Sequence, residues 1–102
     1  MSFGVFGNKT TELRHPWGVA VDEHGHILIS DYGNHRIVVC DQFGVFLSEF
    51  GSKGSKDGQF LGPTGIAVDQ TGIIAVADWD NHRIQLFSPQ GSFIGKFGEK
   101  GW

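Results

Sequence analysis

The feature that most constrains this chain is an internal repeat. Shifted by 47 residues, so that Pro16 meets Pro63, the sequence aligns with itself without a gap. Twelve identical pairs fall between positions 16–37 and 63–84, and the match continues to the C-terminal Gly-Phe pairs. The 102 residues therefore hold two full units plus eight residues. Periods of roughly 20–50 residues are typical of solenoids, propellers and other repeat arrays.

Each unit contains four short apolar runs separated by turn residues, a pattern typical of antiparallel strands. We predict strands at 17–22, 27–31, 36–40 and 45–50, and at 64–69, 73–78, 83–87 and 92–97. Several runs, such as 37–39, are continuously apolar, which indicates sheets covered on both faces. A four-stranded sheet of about 40–50 residues with covered faces is a propeller blade. The predicted fold class is all-β, with two four-stranded antiparallel propeller blades.

Four motifs recur in both units in the same order. They are Pro-x-Gly-[Val/Ile]-Ala-Val-Asp, Ile-x-x-[Ser/Ala]-Asp, Asn-His-Arg-Ile and Gly-x-Phe-x-x-x-Phe-Gly. Together they resemble the NHL repeat, and Asn34-His35 and Asn81-His82 stand at the positions that give that family its name. The resemblance covers nearly the whole chain twice. The linker 51–60 and the stretch 15–22 are similar in particular to the NHL domains of animal TRIM-NHL proteins.

The resemblance divides the chain into five segments. They are a linker from a preceding blade position (1–15), blade 1 (16–50), a linker (51–62), blade 2 (63–97) and a C-terminal linker (98–102). A propeller closes with about 4–8 blades, so two cannot close a ring. NHL domains resemble six-bladed rings, and we therefore predict a homotrimer closed by head-to-tail contacts. The alternatives are an excised fragment of a longer domain and a truncated or engineered scaffold that self-assembles without a ligand of its own.

Alternating strand directions sort the connections onto two edges of the blades. The upper edge is defined by the linkers 4–15 and 51–62 and by the turns 31–36 and 78–83, and the lower edge by the other turns. The formal charge is −3, from 8 Lys and Arg against 11 Asp and Glu. The upper edge, with the C-terminal linker, nearly balances its basic residues (Lys9, Arg14, Arg36, Lys53, Lys56, Arg83, Lys100) and acidic residues (Glu12, Asp31, Asp57, Asp78, Asp80, Glu99). The lower edge has only acidic ones (Asp22, Glu23, Asp41, Asp69). The net charge therefore does not exclude an RNA ligand on the upper edge.

Aromatic, histidine and basic side chains gather on the upper edge. The candidate binding residues are His15, Trp17, Tyr32, His35, Arg36, Lys53, Lys56, Trp79, His82 and Arg83. Single-stranded RNA is bound when bases stack on rings and cations follow the phosphates. The TRIM-NHL resemblance also implies RNA and protein binding through this edge. We therefore expect single-stranded or hairpin RNA, or protein partners, to bind it.

A structural interpretation of some of these residues competes with the functional one. Asp31, Asn34 and their copies Asp78 and Asn81 recur in both units, as do the arginines, and an Asp can accept from backbone amides while an Arg pairs with it. Trp17 and Tyr32 are equally consistent with packing over the linker. Lys53 and Lys56 are either phosphate contacts or part of a solvated loop.

Chemical signatures of catalysis are absent from the sequence. The five histidines have no ligand spacing with Cys or carboxylates, so we predict no metal or other cofactor. No Ser, His and Asp form a recognisable triad, and the single cysteine, Cys40, is predicted to lie in the core. No apolar run reaches the roughly 18–20 residues that span a bilayer. The expectation is a non-enzymatic, cytoplasmic binding module that does not associate with membranes.

Overall fold

The structure is a computed structural model that describes residues 12–98. The all-β prediction is confirmed, since residues 12–98 form two four-stranded antiparallel sheets and no α-helix. Sheet 1 contains β1 (Pro16–Val21), β2 (Ile27–Asp31), β3 (Arg36–Cys40) and β4 (Phe46–Phe50). Sheet 2 contains β5 (Pro63–Val68), β6 (Ile74–Asp78), β7 (Arg83–Phe87) and β8 (Phe93–Phe97). Lys9, Glu99, Lys100 and most of the two predicted terminal linkers lie outside the described residues.

Each sheet is a simple meander in which consecutive strands pair. The turns of the lower edge combine an Asp or Ser side chain with a glycine of positive φ. Asp22 Oδ1 accepts from the backbone N–H groups of His24 and His26, both at 2.9 Å, and Gly25 has φ 83°. A side-chain acceptor followed by a left-handed glycine is a strong local turn signal, which explains why the strand ends are readable from sequence.

The two sheets pack face to face. The face that sheet 1 contributes to this contact is not equivalent, by the repeat, to the face that sheet 2 contributes. The shared core contains Leu28, Ile37, Val39 and Phe50 from sheet 1, Ile66, Val68, Ile74, Val76, Phe87 and Phe93 from sheet 2, and Phe60 from the linker. The Phe87 ring lies 4.9 Å from the Phe50 ring and 5.6 Å from the Phe60 ring, centre to centre. Aromatic rings at these separations add attraction beyond the apolar area they bury.

The sheets approach most closely at their first strands, β1 and β5. Ser30 accepts from the backbone N–H of Gly18 at 2.8 Å and donates to the carbonyl of Thr64 on the neighbouring sheet. A Cβ at Gly18 would lie 2.5 Å from that same carbonyl oxygen. Only glycine therefore permits this approach, and the two sheets diverge from it like the blades of a propeller.

The linkers 1–15 and 51–62 each contribute one apolar side chain, which packs against the sheet that follows that linker in the chain. Phe60 is fully buried in the core between the sheets, and its backbone N–H donates to the Ser52 carbonyl at 2.8 Å. Leu13, its counterpart in the first unit, packs against the other face of sheet 1, where Val38 and Cys40 are buried. The predicted core position of Cys40 is confirmed, and burial raises the pKa of its thiol.

Within residues 12–98, no helix has the length and apolar character needed to cross a bilayer.

Candidate functional site

Asp31 is a fully buried carboxylate that joins the first linker to the turn after β2. The backbone N–H of Arg14 donates to Asp31 Oδ1 at 2.6 Å. Asn34 Nδ2 and Arg36 Nε donate to Oδ2, both at 2.9 Å. A buried charge is tolerated when it is paired and hydrogen-bonded in this way.

Asp78 occupies the same position in the second unit and is also fully buried. It accepts from the backbone N–H groups of Leu61 and Gly62 at 3.0 and 2.9 Å. Asn81 Nδ2 donates to it at 2.7 Å, and Arg83 Nε forms an ion pair with it at 3.4 Å. Both units thus use one Asp-Asn-Arg arrangement to attach the linker to the sheet.

Arg36 and Arg83 direct their guanidinium groups into the linkers. Arg36 Nη1 donates to Glu49 Oε2 at 2.8 Å, and Nη2 donates to the Glu12 carbonyl at 2.7 Å. Arg83 donates to the carbonyls of Ser55, Lys56 and Gln59 at 2.8–3.0 Å. Each side chain is only 8% exposed. These contacts occupy both arginines that were predicted as candidate binding residues.

The histidines of the repeat motif occupy a special backbone position. His35 and His82 follow the single-turn 3₁₀ helices Tyr32–Asn34 and Trp79–Asn81 in the left-handed conformation, each with φ 55°. His35 Nδ1 lies 3.1 Å from the Leu61 carbonyl, to which the Nδ1–H tautomer donates. His15 is also left-handed, with φ 59°, and is exposed on the upper edge. Histidine is among the residues enriched in this conformation, which ties the motif to turn geometry.

Three predicted aromatic residues line one cavity on the upper edge, at the boundary between the sheets. This upper pocket has a volume of about 570 Å³ and is lined by Trp17, Tyr32, Thr64, Trp79 and Asp80. Trp17 and Trp79 are 68% and 63% exposed, and the Trp17 and Tyr32 rings are 6.0 Å apart. Each sheet contributes to the pocket, so the site exists only because the two units are adjacent.

Asp80 gives the upper pocket a negative charge. The Tyr32 hydroxyl donates to Asp80 Oδ2 at 3.3 Å, and the carboxylate raises the pKa of Tyr32. A Cβ at Gly62 would lie 2.7 Å from Asp80 Oδ2, so glycine at that position makes room for the carboxylate. No Lys or Arg is among the lining residues of the described structure.

Lys53 and Lys56 lie exposed on the linker, away from the lining of the upper pocket. The Lys56 backbone is fixed, because its N–H donates to Gln59 Oε1 at 3.1 Å and its carbonyl accepts from Arg83. Of the four basic candidate binding residues, Arg36 and Arg83 are buried, whereas the side chains of Lys53 and Lys56 remain accessible.

A second, smaller cavity of about 200 Å³ opens on the lower edge between the sheets. His26 Nδ1 lies 3.0 Å from Asp22 Oδ2 beside it. Burial alone would raise the pKa of Asp22, but hydrogen bonds from His26 and His24 lower it below its ordinary value. Residues 12–98 contain no group of three His, Cys, Asp or Glu side chains placed to hold a metal ion.

Sequence reasoning missed Thr64 and Asp80 as lining residues of the pocket. Asp80 was counted only as one charge of the upper edge, and its counterpart in the first unit is Gly33. That difference between the two units was the available signal, because a residue that the turn itself required would recur.

The comparisons with known proteins agree with the repeat motifs and the fold. The NHL repeat family model matches residues 13–40 and 60–87, more than half of the chain. Protein lin-41 of Caenorhabditis elegans is 43% identical over 49 residues, which cover 48% of this chain and 4% of that protein. E3 ubiquitin-protein ligase TRIM71 of Gallus gallus is 50% identical over 46 residues, 45% of this chain and 5% of the ligase.

This chain thus spans about 4–5% of the length of those curated relatives. Among solved structures, a putative exported protein from Bacteroides fragilis superposes with a TM-score of 0.76 at 24% identity. The superposition covers 97% of this chain and 28% of that protein, and it shows a shared fold. From the family match and the two sheets that carry it, the chain belongs to the NHL repeat family and contains two copies of the repeat.

Proposed function

We propose that this chain is a non-catalytic NHL binding module, of the kind found in cytoplasmic TRIM-NHL regulators, that holds a protein partner in the upper pocket. The observation that carries the proposal is the exposure of Trp17 and Trp79 on an open cavity. Exposed Trp and Tyr side chains dominate the binding energy of many protein interfaces. Isolated exposed apolar residues need no explanation, but three aromatic rings around one cavity do.

The charges around the pocket support a protein ligand over a nucleic acid. Asp80 lines the cavity, and a carboxylate repels phosphate groups. Arg36 is occupied by Glu49 and the Glu12 carbonyl, and Arg83 is occupied by carbonyls of the linker 51–62. The chain as a whole carries a charge of −3. A peptide backbone imposes no such electrostatic cost.

A random peptide library displayed on phage tests this proposal. Peptides enriched on the unaltered chain should lose binding to Trp79→Ala and retain it on Phe43→Ala, an exposed aromatic control on the lower edge. Enrichment that is equal on the Trp79→Ala variant would contradict a partner site in the upper pocket.

Single-stranded RNA is the second candidate ligand, supported by the exposed rings and by Lys53 and Lys56 on the same edge. Bases stack on aromatic rings at about 1–3 kcal/mol each. Titration of fluorescently labelled single-stranded and hairpin oligonucleotides should then give binding that weakens steeply with salt and is lost in Lys53→Glu/Lys56→Glu. No binding at low salt would remove this candidate.

We also propose that the chain self-assembles head to tail, with a trimer as the closed form. Nothing between residues 12 and 98 covers the face of sheet 2 that is formed by Ala75, Ala77, Ile84, Leu86 and Phe97. These residues are the counterparts of Leu28, Ser30, Ile37, Val39 and Phe50, the face of sheet 1 that sheet 2 covers. Sheet 1 of a second copy carries the complementary face, where Val19 and Val21 are exposed although Val38 and Cys40 are already buried. A self-assembling scaffold without a ligand is the corresponding alternative if the upper pocket binds nothing.

A further inference from the structure

We infer that the upper pocket recognises a quaternary ammonium group, as on a trimethylated lysine side chain of a protein partner. The inference rests on the proposed protein-binding function and names the chemistry that the pocket selects. It depends on the aromatic lining, the placement of Asp80 and the absence of Lys and Arg from the lining that residues 12–98 form.

Three aromatic rings line the upper pocket. Tyr32 and Trp79 are equivalent residues of the two units, each the first residue of its 3₁₀ helix, so each unit brings one ring to the boundary. Trp17 adds a third ring from β1, where the second unit has Thr64. A cation within about 6 Å of such rings is attracted by their negative faces, most strongly by Trp.

Asp80 brings a negative charge to the upper pocket. Its carboxylate lies in the cavity, and Tyr32 is the side chain that donates to its Oδ2. The Tyr32 phenol carries its proton at neutral pH, as tyrosine ordinarily does, so it can donate this hydrogen bond. Within residues 12–98, the lining thus carries one negative charge and no basic group.

The upper pocket suits a methylated ammonium better than the ammonium of an ordinary lysine. An unmodified ammonium has three N–H donors and is strongly hydrated, so it needs several acceptors when it leaves water. The cavity offers three apolar rings, the Thr64 side chain and a carboxylate that is already partly used. A trimethylated ammonium retains its charge but has no N–H to satisfy. It therefore loses less on entering such a site.

The size and position of the cavity fit a side chain from a second molecule. A volume of about 570 Å³ exceeds that of one ammonium head and leaves room for the flanking methylenes and backbone. The exposure of both tryptophans keeps the entrance open to solvent.

The test uses a peptide that contains trimethyllysine, the same peptide with unmodified lysine, and tetramethylammonium chloride. Indole N–H signals of Trp17 and Trp79 are followed by NMR, and affinities are measured by calorimetry. We expect the trimethylated peptide to bind about tenfold more tightly than the unmodified one, and tetramethylammonium to shift the same indole signals. Asp80→Asn should reduce the preference, Trp79→Ala should abolish it, and Phe43→Ala should leave it unchanged.

Equal affinity for the two peptides, or an unaltered preference in Asp80→Asn, would overturn the inference. Trp79-dependent peptides from the phage library, together with no response of the indole signals to tetramethylammonium, would also overturn it, while the protein-binding proposal would stand. RNA binding that Trp79→Ala removes, with no response of the indole signals to tetramethylammonium, would overturn both.

Discussion

At the scale of single residues, the buried carboxylates Asp31 and Asp78 determine how the upper edge is built. Each accepts hydrogen bonds from the linker backbone and from an Asn amide. Each is also paired with an Arg, because Arg36 Nε donates to Asp31 and Arg83 Nε forms an ion pair with Asp78. Removal of one partner of a buried, hydrogen-bonded ion pair leaves the other uncompensated, which is costly. The stability of the molecule should therefore depend strongly on these two side chains.

Asp78→Ala should lower the free energy of unfolding by about 3–5 kcal/mol, because Arg83 loses its ion-pair partner and two backbone N–H groups lose their acceptor. Urea denaturation followed by circular dichroism measures the change. Asp57→Ala is the matched control, since it removes an exposed carboxylate paired with Lys96 at 2.7 Å and should cost about 0–1 kcal/mol. Equal effects of the two substitutions would contradict a structural role for Asp78.

We expect the protein to lose stability in acid because of the Asp side chains in the lower-edge turns. The Thr71 hydroxyl and backbone N–H groups lower the pKa of Asp69, and backbone hydrogen bonds lower that of Asp22 against the opposing effect of burial. A carboxyl with a lowered folded-state pKa stabilises the fold above its unfolded pKa of about 4, and this contribution disappears as pH falls through the folded value.

The melting temperature should therefore fall between pH 5 and pH 2, pH values chosen to bracket an ordinary Asp pKa of about 4. In Asp69→Asn the decline should be shallower, because that residue no longer titrates while its amide oxygen can still accept. A thermal melt series at several pH values measures both slopes. An identical pH dependence of the melting temperature in the unaltered protein and in Asp69→Asn would mean that Asp69 makes no contribution to the loss of stability in acid.

Not all of the site could be predicted at this scale. The aromatic residues that meet in the upper pocket were identified because strand direction places their turns on one edge. The inward direction of Arg36 and Arg83 could not be read, because a long flexible side chain reaches carbonyls of a linker whose path the sequence does not specify.

At the scale of elements, the linker 51–62 is an integral part of the core. Phe60 is fully buried, and Gly51 approaches it so closely that a Cβ there would lie 2.5 Å from the Phe60 ring. Gln85, also fully buried, donates to the Gln59 carbonyl at 2.7 Å and accepts from the Gly58 N–H at 2.8 Å. Sheet and linker are therefore stabilised together.

Phe60→Ala should lower the free energy of unfolding by about 3–5 kcal/mol, since it removes a ring from between the sheets and leaves a cavity. Phe43→Ala, at a residue 69% exposed on the lower edge, should change it by less than about 0.5 kcal/mol. Chemical denaturation of both variants makes the comparison. A small effect at Phe60 would show that the linker contributes little to the core.

The strands were predictable and the linker was not, for a physical reason. Apolar runs bounded by Gly, Asn and Asp are local signals, and the structure places each strand within one or two residues of the predicted bounds. The linker is rich in Gly, Ser and Lys and is typical of a solvated loop. The burial of Phe60 depends on contacts with residues from both sheets, and Gln85 resembles an ordinary polar position of a strand.

At the scale of the whole molecule, the part of the chain that the structure describes leaves the apolar face of sheet 2 uncovered. Phe97 on this face is 59% exposed, whereas its counterpart Phe50 packs into the core. Contacts between unlike faces propagate head to tail, and they form a ring when the rotation closes.

Native mass spectrometry should show a species of three times 11.2 kDa. Leu86→Glu should convert it to a monomer, because a charge would be placed at the centre of the uncovered face. Phe43→Glu, with an equal change of charge on the lower edge, should remain trimeric. A purely monomeric, cooperatively unfolding chain would contradict the assembly proposal.

The correspondence of Leu13 with Phe60 bears on how such proteins can change over evolutionary time. Each 47-residue unit contains both a sheet and the apolar side chain that packs against the next sheet in the chain. A tandem duplication of the corresponding gene segment would add a blade whose inner contacts are already complementary to those of its neighbour. Arrays of this kind can therefore lengthen or shorten by whole units without simultaneous mutations in the older copies.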